Sequence, residues 1–128
     1  MQENHLFEYA IIRVVPRVER EEFLNVGVIV YCRKPVFLQM KFSMDQNRLL
    51  ALCPNINMEE VQSHLEAYAQ IGAGNPAAGP IAALDVASRF RWLTAKRSTV
   101  VQSSAVHPGF CKDPSFTLNR LHEQLVIS

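Results

Sequence analysis

The chain has 128 residues, with 13 basic and 12 acidic side chains and a formal charge of +1. So balanced a charge excludes wholesale coating of nucleic acid or of an acidic membrane, and leaves any such contact to a local patch. Hydrophobic residues make up 48% and charged residues 20%, which excludes general disorder and lets residues 1–128 read as one domain with a packed core.

The amino terminus, Met-Gln-Glu-Asn-His, has no basic n-region and no small-residue cleavage site, so it does not read as a secretory signal. Residues 7–15 are rich in Ile, Val, Tyr and Phe and predict a strand ended by Pro16. A charged connection, residues 17–21, leads to a second strand over 22–32; the pair reads as a hairpin. Lys34-Pro35 interrupts, and residues 36–42 predict a third strand. The first half is thus a three-stranded antiparallel meander. Its first two strands are apolar on both faces, with Phe7, Tyr9, Ile11 and Val15 on one and Ala10, Ile12 and Val14 on the other. Strands of that kind sit mid-sheet, or have helices on one side and a partner on the other.

The second half is helical. Asp45 is placed to cap a short helix through Leu52. Asn57 and Glu60 resemble a capping box before a stripe of Met58, Val61, Leu65, Tyr68 and Gly72. Residues 72–79 form a loop rich in Gly, Ala, Asn and Pro, and a third helix starts near Pro80, carrying Ile81, Leu84 and Ser88 towards Trp92. Residues 99–102 read as a short strand that joins the sheet edge. Asp113-Pro114 is an N-cap and N1 pair opening a last helix with Leu118, Leu121 and Leu125 on one face. The class is α+β: an antiparallel sheet of three to four strands packed with three to four helices.

Three cysteines (Cys32, Cys53, Cys111) and four histidines (His5, His64, His107, His122) are scattered, with no CxxC pair. The pattern fits reduced thiols in a cytoplasmic protein and predicts neither a metal site nor a cofactor. The longest apolar run, residues 26–32, is too short to span a bilayer.

Two stretches carry candidate chemistry. If the hairpin turns about Glu19, Arg13 faces Asn25 and Ile11 faces Gly27, all on one face. That gathers a guanidinium, an amide and a glycine gap open to a ligand or another backbone. The simpler reading, and the favoured one, is that Gly27 marks a bulge and Arg13 pairs with an acid such as Glu21 or Glu22. The second stretch is RFRWLTAKRST, residues 89–99. Arg91, Lys96, Arg97, Ser98 and Thr99 supply cations and hydroxyls for a phosphate, although cations at a helix C-terminus also offset its macrodipole without any ligand. Phe90 and Trp92 read most simply as core residues. Glu19, Glu21 and Glu22 form an acidic cluster that reads as a solvated hairpin tip rather than a metal site. His107 and Cys111 lack a third group to orient them as a nucleophilic pair.

The runs YAIIRVVPRVEREEFLNVGVIVYC, residues 9–32, and FRWLTAKRSTVVQ, residues 90–102, resemble the bacterial family of small proteins called domain of unknown function 3037. Residues here that match its patterns are Arg13, Pro16, Glu19, Arg20, Phe23, Asn25, Gly27, Arg91, Trp92, Arg97, Ser98 and Thr99. The resemblance implies a bacterial, cytoplasmic, self-standing domain, encoded beside a protein resembling the HipA-like kinases. It carries no catalytic residues.

Two functions follow as expectations. One is a binding or regulatory module, a companion subunit whose hairpin face meets a protein partner or a second copy. The other is a phosphate- or nucleotide-binding enzyme in which Arg13, Arg91 and Arg97 hold the anion, Ser98 and Thr99 hydrogen-bond it and Glu19 acts as acid or base. The second requires those side chains to converge on one pocket. Nucleic-acid binding ranks below both.

Overall fold

In the computed structural model of the protein the described residues are 4–127; residues 1–3, on which the reading of the amino terminus partly rests, and residue 128 lie outside them. Strand β1 (His5–Val14) pairs antiparallel with β2 (Leu24–Cys32), and β2 pairs antiparallel with β3 (Phe37–Phe42). The far edge of β1 is taken by two short strands laid end to end. β4 (Val101–Ser103) pairs with Ile12–Val14 and β5 (His107–Cys111) pairs with His5–Tyr9. Ser104 bridges them: its N–H donates to Ile11 O at 2.8 Å and its Oγ accepts from Ile11 N–H at 2.8 Å. The class is α+β, with an open antiparallel five-stranded sheet and four α-helices among the described residues.

Local chemistry sets most of the helix starts. Asp45 accepts from Arg48 N–H to open α1 (Gln46–Leu52), and Asn57 accepts from Glu60 N–H to open α2 (Met58–Gly72). Asp113 accepts from Ser115 N–H and Pro114 takes the first helical position of α4 (Pro114–His122). The third helix is shorter than its pattern predicts. Pro80–Ala83 makes a 3-10 turn, Leu84 and Asp85 are extended, and α3 begins only at Val86 and ends at Leu93.

Helices cover both faces of the sheet. On one, Ile12, Val14, Val26, Ile29 and Tyr31 pack against Leu49 of α1, Val61, Leu65, Tyr68 and Ile71 of α2, and Phe90 and Leu93 of α3. The Phe90 ring stacks on Tyr31 at 5.0 Å. On the other, Phe7, Val28, Val30, Cys32 and Cys111 meet Leu118 and Leu121 of α4 and Val126 beyond it. Each such aliphatic side chain withdrawn from water contributes about 1.5–3 kcal/mol. The two-sided apolar strands are therefore satisfied within the chain, and no partner is needed to explain them.

Two further differences have physical causes. Helix α4 runs on as a π-turn, Glu123–Ile127, whose wider spacing buries Val126 five residues after Leu121 and leaves Leu125 only half-buried. Strand β5 escapes a propensity reading because Pro108 and Gly109 are poor strand formers. Proline is tolerated on an edge strand, and a side chain at Gly109 would strike the Phe7 ring, which lies across it.

Candidate functional site

The hairpin carries a β-bulge whose extra residue is Val26. Ile12 pairs with Gly27, and the next residue, Arg13, pairs with Asn25. The expected Arg13–Asn25 pairing is present, but Ile11 faces Val28, not Gly27. A bulge adds one residue to one strand and so changes which residues share a face. Gly27 consequently faces α1–α3, where the Phe42 ring fills the space a side chain would need. It opens no gap for a ligand.

Arg13 and Asn25 face α4. Asn25 Nδ2 donates to Leu125 O at 3.2 Å, and the Arg13 guanidinium lies 4.1 Å from the Phe23 ring centre. Arg13 Nε and Asn25 Oδ1 are both buried without a hydrogen-bond partner. Neither Glu21 nor Glu22 pairs with Arg13: Glu22 is held by Arg20, while Glu19 takes Arg17 at 3.2 Å. Glu19 and Arg20 sit in the exposed 3-10 turn Val18–Arg20 at the hairpin tip. A backbone N–H and the Arg17 guanidinium hold the Glu19 carboxyl below its usual range, so it stays ionised and is poorly suited to acid–base work.

The basic segment is on the other side of the sheet. Arg97 donates to Tyr68 Oη at 3.0 Å, to Leu93 O at 3.4 Å and to Trp92 O, and its guanidinium lies 4.1 Å from the Trp92 ring centre. It caps the carbonyl end of α3. Thr99 Oγ1 donates to Val101 O at 2.8 Å, and Ser98 is exposed. Arg91 is engaged by Glu8 through two hydrogen bonds of 2.7 and 2.8 Å. Arg13 lies on the face covered by α4, and Arg91 and Arg97 lie on the face covered by α1–α3. The three arginines therefore do not form one anion pocket.

A cleft of about 610 Å³ lies at the end of the sheet that carries the start of β1 and the end of β2. His5, Leu6, Glu8, Arg33, Lys34 and Arg91 border it. Beside it Leu6 pairs with Phe110 of β5, and these two side chains are 57% and 72% exposed. Sequence reasoning missed Leu6, Arg33 and Phe110. Their juxtaposition depends on β5, which pairs with a strand a hundred residues earlier in the chain.

Residues 9–126 match a family described as a protein of unknown function, DUF3037. The chain belongs to that family. No curated protein and no solved structure matches this DUF3037 chain. Among its described residues no group of three or more His, Cys, Asp or Glu is placed to hold a metal ion, and no helix is long and apolar enough to cross a membrane. What the sheet end offers chemically is an apolar pair beside a groove with three cations and one carboxylate.

Proposed function

We propose that this DUF3037 protein is a small bacterial cytoplasmic binding module, a companion subunit that docks a protein partner through the sheet end at Leu6 and Phe110. The observation that carries this reading is the directly paired, exposed Leu6 and Phe110 beside the groove of Arg33, Lys34 and Arg91. Adjacent exposed large apolar side chains with a polar rim mark interaction surfaces. The surface is not the one expected from the sequence, since the hairpin face is covered by α4. Three free cysteines support a reducing compartment. The kinase-like neighbour implied by the family resemblance is the partner to try first.

The test is retention of that neighbour, co-expressed with tagged wild type, Leu6→Asp or Phe110→Asp, each checked for folding by circular dichroism. Stoichiometric co-purification with wild type, lost at least tenfold in both variants, is expected. Equal retention by folded Phe110→Asp, or no retention by wild type, overturns docking of this partner at this face.

A further inference from the structure

The two outer edges of the sheet are built differently. One is β4 and β5, two short strands with Pro108 in the second. The other is β3, six residues without proline, glycine or bulge, paired among the described residues with β2 alone. Edges that stay single are usually short, broken or charged. The one charged residue of β3 is Lys41, and its ammonium is turned onto Asn119 of α4 at 3.0 Å.

The ladder to β2 decides which backbone groups of β3 are left over. Ser43 N–H donates to Val26 O at 2.7 Å, so these opposed residues are a hydrogen-bonded pair, and the unshifted register carries the alternation along the strand. Phe37, Gln39 and Lys41 therefore bond to β2, while Leu38, Met40 and Phe42 aim their N–H and C=O outward. The side chains of these same three residues lie on the α1–α3 side. There two clefts of about 540 Å³ each follow the edge between β3 and α2 and meet at Ala69. Glu59 and Glu66 border the cleft at Phe42; Arg89 and Val36, which is 71% exposed, border the cleft at Leu38. No ion pair holds Glu59, Glu66 or Arg89 among the described residues.

We propose that a second copy of this chain pairs antiparallel along β3, about a two-fold axis at Met40. Met40 then meets Met40 of the second copy and Leu38 meets Phe42, so all three outward residues of each strand enter hydrogen-bonded pairs. The same register sets Gln39 against Lys41, whereas a slip of two residues sets Lys41 against Lys41, a like-charge pair. The two-fold also brings the Glu59 and Glu66 end of each groove to the Arg89 end of the other, and the second strand covers Val36. This match of hydrogen bonds, side chains and charge with itself favours a second copy over an unrelated strand. The β3 edge is opposite β5, so the pairing stands whether or not Leu6 and Phe110 dock a partner.

The test is sedimentation equilibrium of the whole chain over a dilution series, with amide hydrogen exchange read residue by residue. Wild type is expected to be dimeric at micromolar concentration and to dissociate on dilution. The amides of Leu38, Met40 and Phe42 should be protected in the dimer and exchange freely in the monomer, while those of Gln39 and Lys41, bonded to β2, stay protected in both. Gln39 is exposed, so its variants keep the fold. Gln39→Glu, which faces Lys41 on both sides of the axis, should tighten the dimer about fivefold, and Gln39→Lys should weaken it about fivefold. A monomer at every concentration, a dimer whose three outward amides exchange freely, or equal affinity of the two Gln39 variants overturns the proposal. Protection of those amides only when a different protein is bound also overturns self-pairing, and assigns the edge to that protein.

Discussion

Arg91 of α3 reaches across the sheet end to Glu8 of β1, its two terminal nitrogens donating to the two carboxylate oxygens at 2.8 and 2.7 Å. The fork matches the geometry in which arginine and a carboxylate bond in parallel. It fastens a helix to the strand at the border of the large cleft. The Arg91 side chain is 56% exposed and that of Glu8 25% exposed, so solvent weakens the pair. Arg91→Lys removes the fork but keeps the charge, and is expected to lower stability by about 0.5–1 kcal/mol. A double-mutant cycle with Glu8→Gln in urea checks it, repeated at high salt, where the coupling should shrink. A coupling of zero at low salt would remove the pair from the list of stabilising contacts.

Gly27 is required for packing rather than for a ligand. A methyl group there meets the Phe42 ring within van der Waals contact, so Gly27→Ala should destabilise the fold by about 1–3 kcal/mol. Adding Phe42→Leu, which shortens the obstructing side chain, should recover part of the loss. If the two changes are simply additive in chemical denaturation, the overlap is not the cause.

His122 makes stability fall in mild acid. Burial, and then the Lys41 ammonium, lower its pKa below the ordinary 6.5, while Glu123 opposes them weakly. The unfolded chain therefore takes up a proton near pH 6.5 that the native state refuses until lower pH. Stability is full above that pH and declines as the pH drops towards the native pKa. Unfolding free energies at pH 7.5 and 5.5 should differ less for His122→Phe than for wild type. Equal pH dependence in the two proteins would assign the loss to other groups.

Arg97 is a structural residue on the geometry seen here. Arg97→Ala removes the guanidinium from the Trp92 ring and from the carbonyls that end α3. A loss of about 1–2 kcal/mol is expected, the sum of a cation–π contact and a helix-end interaction. Inorganic phosphate should leave the melting temperatures of wild type and variant equally unmoved. A phosphate-dependent rise seen only in wild type would restore the anion-binding role for this segment.

The residues that locate the elements are local, and for that reason the sequence by itself determined them. Asp45, Asn57 and Asp113 mark helix starts because a short polar side chain can meet a free N–H two or three residues ahead, whatever lies elsewhere. The alternating and continuous apolar runs likewise determined the meander of β1, β2 and β3 and the α+β class; the Arg13–Asn25 pairing followed only from a turn placed about Glu19, a register that the bulge breaks from Ile12 onward. Only the tertiary structure decided what those elements face. A one-residue bulge at Val26 sends Gly27 to one side of the sheet and Asn25 to the other, and no local preference of either residue announces it. Helix α4 closes the face that looked like an interface, and β5 brings Phe110 beside Leu6, because both depend on contacts between distant parts of the chain. Arg13 and Arg97 could be grouped by their charge in the sequence. The sheet lying between them separates them, because its hydrogen-bonded strands and two packed cores fix which side each guanidinium occupies.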